Sequence, residues 1–156
     1  MVEILEESHF AYLCTTDQKN QSHITPMFFV FDAETSDILV FTHSKSKKMR
    51  NIQVNPKVCL TVDIRDPQNP FNNTGVMVQG KAAIERSFYS FSNIEDEKMM
   101  RIYKEFGKKY PVLSEARAPT QLKYEEFTEA LVRVQANKVV YWKGPHFATI
   151  NFDRES

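Results

Sequence analysis

Two stretches of this chain alternate apolar and polar residues one by one. In Lys57–Ile64, the side chains Val58, Leu60, Val62 and Ile64 share one face, and Lys57, Thr61 and Asp63 share the other. Val76–Glu85 repeats the pattern, with Gly80 at a position where a side chain would obstruct packing. A period of two belongs to strands with one face on a core, and no helix satisfies it. Such strands need antiparallel neighbours. Phe10–Thr15, His23–Phe31, Ile38–Thr42 and Leu131–Trp142 supply them, with His146–Phe152 a further candidate. Helical patterns fall at residues 2–8, at Ser46–Val54 before the stop Asn55-Pro56, and at Glu95–Tyr110. The last carries the stripe Met99, Ile102, Tyr103 and Phe106. Asp66-Pro67-Gln68-Asn69-Pro70 opens a long loop, and Leu113–Lys123 reads as irregular. Six or seven strands with two or three helices predict a mainly β fold with flanking helices, an antiparallel barrel that is closed or split. A chain of 156 residues is expected to form one domain, residues 1–156.

His23–Phe31 is apolar on both faces: Ile24, Phe28 and Val30 on one, Met27, Phe29 and Phe31 on the other. That pattern predicts core on one side and a partner or ligand on the other. Pro26 cannot donate to a ladder, so it marks an edge, a bulge or a ligand's approach.

No apolar run reaches the length of a membrane span, and the acidic start Met1–Glu7 lacks a signal peptide's basic region. A cytoplasmic protein is expected. Cys14 and Cys59 lie in apolar strand patterns and are expected to be buried free thiols. His9, His23, His43 and His146 lack metal-ligand spacing, and no metal site is expected. No Ser-His-Asp, Cys-His or Gly-x-Gly-x-x-Gly arrangement is present. No residue is therefore assigned as catalytic.

Charge is balanced overall, 20 Lys and Arg against 20 Asp and Glu, which argues against nucleic acid. Locally it is not. Between Asp37 and Asp63 there is no carboxylate, yet Lys45, Lys47, Lys48, Arg50 and Lys57 are there. Phe41-Thr42-His43-Ser44-Lys45-Ser46-Lys47-Lys48 is a strand end, then hydroxyls, then cations at a helix start. Free N–H groups, Ser donors and Lys charges suit a phosphate. A solvated basic helix with Ser caps explains the same residues.

This segment, followed by Asn51-Ile52-x-x-Asn55-Pro56-Lys57-Val58, resembles the pyridoxamine 5′-phosphate oxidase-like family of FMN-binding split β-barrels. In order along the chain, His23–Met27, Gly75–Ala82 and Val139–Trp142 resemble the family's second strand, the strand after its long loop, and its closing strand. The resemblance implies a homodimer with FMN at the subunit interface. Thr25, Pro26 and Met27 would line the isoalloxazine edge, and Phe41 and Thr42 the ring and ribityl chain. Ser46, Lys47 and Lys48, with Ser44, would hold the phosphate. The partner would approach through Thr74, Gly75 and Val76, and Trp142 would close the pocket. Members that oxidise pyridoxamine phosphate carry Arg-Gln where Thr74-Gly75 stand here, and an Arg-x-His tail that this chain lacks. The resemblance thus implies a redox flavoprotein acting on an unidentified small molecule, not an efficient pyridoxamine phosphate oxidase. Alternatives of the same architecture are a haem protein with His23 or His43 as axial ligand, a deazaflavin-dependent reductase, and a flavin-binding or sensing protein without turnover. Arg101, Lys104 and Lys108 on the Glu95–Tyr110 helix offer a second place for an anionic substrate.

Overall fold

The computed structural model describes residues 1–88, 97–111 and 129–153. The irregular stretch expected at Leu113–Lys123 lies outside them. The elements are α1 (Val2–Glu7), β1 (Ala11–Thr16), β2 (Ser22–Met27), β3 (Phe29–Asp32), β4 (Asp37–His43), α2 (Lys47–Val54), β5 (Lys57–Arg65), β6 (Asn73–Phe88), α3 (Glu97–Lys109), β7 (Glu129–Lys143) and β8 (His146–Asn151). The strands form one sheet in the order β2-β1-β5-β6-β7-β4-β3, with β8 also on β7, and every pairing is antiparallel. Curled on itself, the sheet is a half-barrel, the split β-barrel architecture expected.

Two long strands make the curl. β7 pairs with β4 through its first half and β8 through its second, and β6 runs beside it throughout. Register shifts at Gln79/Gly80 and Ile84/Arg86 bend this ribbon. Gly80 is required at the first: a Cβ there would stand 2.0 Å from the Gln135 carbonyl oxygen.

His23–Phe31 is not one strand but two. β2 ends at Met27 and stays beside β1 at one edge of the sheet; β3 begins at Phe29 and forms a hairpin with β4 at the other. Tyr110 fixes the break. Its hydroxyl accepts the Phe29 N–H at 3.0 Å and lies 2.8 Å from the carbonyl oxygens of both Phe29 and His9. Pro26 does sit on an edge strand, opposite Tyr12.

The apolar residues divide between two cores. Leu13, Phe29, Ile38, Val40, Leu60, Val62, Val76, Val132 and Val134 fill the barrel, joined at its ends by Ile4 and Leu5 of α1 and Met49 and Ile52 of α2. On the opposite face of β3 and β4, Val30, Leu39 and Leu131 pack under Met99, Ile102 and Phe106 of α3. Each such side chain contributes about 1.5–3 kcal/mol. The double-sided character of β3 is thus met within one chain, where α3 covers Val30, while Ile24 and Phe28 of the same predicted face stay exposed. At the end of β5 the alternation fails: Ile64, expected inside, is exposed.

On the α3 side of the sheet, opposite Leu39, Arg133 is buried among carboxylates. Its guanidinium donates to Asp32 (3.2 Å), Asp37 (3.2 Å), Thr35 (3.0 Å) and Glu85. Arg101 of α3 grips both Asp32 oxygens, at 3.1 and 3.2 Å. Arg101 therefore ties α3 to the β3–β4 hairpin, and is engaged rather than held out for a substrate.

Candidate functional site

The junction of β4 and α2 is built by short-range hydrogen bonds. His43 Nδ1 accepts the Lys45 N–H at 3.1 Å, the Ser46 N–H donates to the His43 carbonyl at 3.0 Å, and Arg50 donates to the Lys45 carbonyl at 2.8 Å. Ser46 is the N-cap of α2, its Oγ accepting the Met49 N–H at 3.4 Å. Asn51, buried, donates to Thr15 Oγ1 at 3.0 Å and pins α2 to β1. The first intrahelical bond runs from the Arg50 N–H to the Ser46 carbonyl, so the N–H groups of Lys47 and Lys48 point out of the helix start without a helical acceptor.

Lys47 and Lys48 differ in a way that sequence does not show. Lys47 is exposed, and its charge is one of the smaller influences lowering the Asp17 carboxyl, after the hydrogen bond from the Gln21 N–H. Lys48 is half-buried, and burial lowers its ammonium pKa. It has no hydrogen-bond or ion-pair partner among the described residues. Ser44 and Ser46 are half-buried beside it in the chain. Partly dehydrated positive charge, two outward N–H groups and two hydroxyls are groups chemically able to receive an anion.

Thr25, Pro26 and Met27 lie on β2, which touches β4 across the open side of the half-barrel. Thr25 is half-buried and shares a 3.1 Å hydrogen bond with His23 Nε2; Pro26 is exposed; Met27 belongs to the barrel core. Thr42 is buried in the β4–β7 ladder. The Phe41 ring is half-buried on the α3 side of β4. It stacks on Tyr103, with ring centres 5.3 Å apart, and meets Phe106 edge-on at 4.5 Å, because β4 turns its odd-numbered residues toward α3.

Gly75, Val76 and Trp142 are elsewhere. Phe41 pairs with Leu131, and Trp142 stands about 11 residues further along β7, roughly 35 Å at strand rise. The Val76 side chain is wholly buried in the barrel, so only its backbone could meet a partner. Gly75 pairs with Trp142, and the indole lies over it. Trp142 also borders a cleft of about 820 Å³ with Asp63, Arg65, Asp66, Pro67, Pro70 and Asn73. One chain thus brings together the residues of the β4–α2 junction and β2, but not those of the β6–β7 ribbon.

Between these two regions runs a sheet face with no cover among the described residues. Cross-strand partners share a face. One row is Pro26, Tyr12, Thr61, Met77 and Val140; the next is Ile24, Cys14, Cys59 and Gln79; a third is Asp63, Gly75, Trp142 and Phe147. Tyr12, Ile24 and Phe147 are exposed, while α1 and α2 pack into the barrel and α3 packs against β3 and β4. Sequence reading missed this face because its residues are mixed in polarity; only the pairing of six strands collects them. Cys14 and Cys59, expected buried, are half-exposed on it as free thiols.

The sequence profile described as "Pyridoxamine 5'-phosphate oxidase" matches residues 1–143. No curated protein matches the chain. Among solved structures, a heme binding protein from Mycobacterium smegmatis superposes with a TM-score of 0.70 at 9% identity, covering 95% of this chain and 55% of its own length. An F420 reductase superposes at 0.57 with 20% identity, covering 88% of this chain and 93% of its own. A Clostridium acetobutylicum protein related to general stress protein 26, of the pyridoxinephosphate oxidase family, gives 0.61 at 16% identity, with coverages of 97% and 92%. These likenesses establish the fold, and the chain spans little more than half the length of the first. Among the described residues no helix is long and apolar enough to cross a membrane, and no group of three or more His, Cys, Asp or Glu stands ready for a metal. The profile match over residues 1–143 and the split-barrel topology place this chain in the pyridoxamine 5′-phosphate oxidase family.

Proposed function

We propose that this protein is a cytoplasmic, homodimeric FMN-binding protein that holds the flavin phosphate at the start of α2. The observation that carries the reading is Lys48, half-buried and without a hydrogen-bond or ion-pair partner among the described residues, beside Ser44, Ser46 and two outward N–H groups. A dianionic phosphate would compensate the desolvation of that ammonium. Lys47, more exposed, would add charge from the solvent side. Thr25 and Pro26, on the edge strand beside this junction, would border the ring system, chiefly through backbone. When bound, FMN supplies redox chemistry for a small-molecule substrate; the chain's residues bind, orient and shield it.

A second copy completes the site in this reading. Gly75 and Trp142 lie too far along β7 to meet a flavin whose phosphate is at Lys48 of the same chain. Two copies packed through the uncovered face would carry the Trp142 end of one toward the Lys48 end of the other. The exposed Tyr12 and Ile24 would then be buried.

The haem and F420 chemistry named for similar structures gives the competing readings. His23 Nε2 is engaged by Thr25 Oγ1 and would have to be released to bind a haem iron through that nitrogen. The absorbance spectrum of the purified protein tests the choice. FMN binding predicts the two bands of oxidised flavin and release of FMN, identified by mass, on denaturation. A Soret band, or release of a deazaflavin, would overturn it.

A further inference from the structure

Cys14 on β1 and Cys59 on β5 are directly opposite each other in an antiparallel pair. Opposed residues share a face, with Cα atoms about 4.5–5.5 Å apart whichever type of site they occupy. Disulfides bridge Cα separations of about 4.4–6.8 Å. Both cysteines are free and half-exposed on the uncovered sheet face, flanked in the same row by Ile24 and Gln79. The two thiols also sense each other: burial raises the Cys59 pKa most, and Cys14 raises it further. The chain holds only two cysteines, so neither has a competing partner in it.

We infer that Cys14 and Cys59 form a reversible dithiol–disulfide pair, closed within one chain by a low-molecular-weight disulfide such as oxidised glutathione. The thiolate of one cysteine attacks a sulfur of the oxidant, breaking its S–S bond and expelling one thiol. The second cysteine, as thiolate, then attacks the protein sulfur of the mixed disulfide and expels the other. Two protein thiols lose two protons and two electrons, and one oxidant disulfide becomes two thiols. Strand pairing holds the second sulfur beside the first, so the mixed disulfide is short-lived. The inference does not rest on the flavin reading.

The test is to treat native protein with oxidised glutathione, both concentrated and after dilution, so that cover by a second copy is distinguished from inert thiols. Intact mass and peptide mapping then read the product. The inference expects loss of two hydrogens, a Cys14–Cys59 linked peptide, no retained glutathione, and recovery of both thiols with dithiothreitol, in at least one of the two conditions. Cys59→Ser and Cys14→Ser should each instead keep one glutathione. A stable glutathione adduct on the wild-type chain, or two thiols that stay unreacted in both conditions yet react after unfolding, would overturn it.

Discussion

The indole of Trp142 lies on the bare backbone of Gly75, so close that a Cβ on Gly75 would stand 2.0 Å from Trp142 Cζ2. The glycine is not there for a turn. It makes room for a large ring on a sheet surface, at the register position where the two strands pair. Substituting Gly75→Val forces the ring off the sheet or bends the ribbon. Overpacking of this kind costs about 1–3 kcal/mol. Because Trp142 is the single tryptophan, its emission reports the displacement directly. A lowered melting temperature with a shifted emission maximum is expected; unchanged emission would show that the ring is not held there.

The buried Arg133 cluster should dominate the response to acid. Burial pushes the Asp32 carboxyl up, but hydrogen bonds from Arg101 and then Arg133 outweigh it and hold the pKa at about 2. The folded value is below the unfolded one, so the stabilisation is complete above about pH 4 and is lost as pH falls through about 2. Asp32→Asn should flatten the acid limb of the stability curve. Arg133→Ala leaves buried carboxylates without their cation and should cost about 3–5 kcal/mol. Denaturant melts at pH 7 and in acid check both.

Dimerisation through the uncovered face predicts that charge placed on it separates the subunits. Met77→Lys and Tyr12→Lys alter half-buried or exposed positions and spare the barrel core. Light scattering should show a dimer for the wild type and a shift toward monomer, with loss of bound flavin, for the variants. A wild-type monomer at micromolar concentration with flavin bound would contradict the assembly.

Turnover of pyridoxamine 5′-phosphate should be weak. Where oxidising members carry Arg-Gln, this chain has Thr74-Gly75, and Gly75 is covered by the indole. Losing charge-assisted contacts to substrate should cost several kcal/mol in transition-state binding. Oxygen-dependent formation of pyridoxal phosphate at about 1 per second or faster would refute this.

The alternating runs of β5 and β6 and the stripe of α3 made the fold legible in sequence, because burial on one side leaves a period in the chain. The split of His23–Phe31 into β2 and β3 left no such mark. It depends on Tyr110, 81 positions away from Phe29, whose hydroxyl holds the break. The packing of Phe41 on Tyr103 and Phe106 left no mark either, because sequence does not say which helix will cover a strand's second face. Lys47 and Lys48 are neighbours of one type; only folding exposes the first and half-buries the second. The pairing of Cys14 with Cys59 follows from β1–β5 register, which joins segments with three strands and a helix between them.

Phosphate capture at the start of α2 is tested most directly by titrating FMN and riboflavin, which lacks the phosphate, into wild-type protein and Lys48→Ala. Removing a charge-assisted contact costs about 1.5–3 kcal/mol, about tenfold to a hundredfold in affinity. Lys48→Ala should lose that much for FMN and little for riboflavin, with Lys47→Ala showing a smaller loss. Equal losses for both ligands, or none for FMN, would contradict the account.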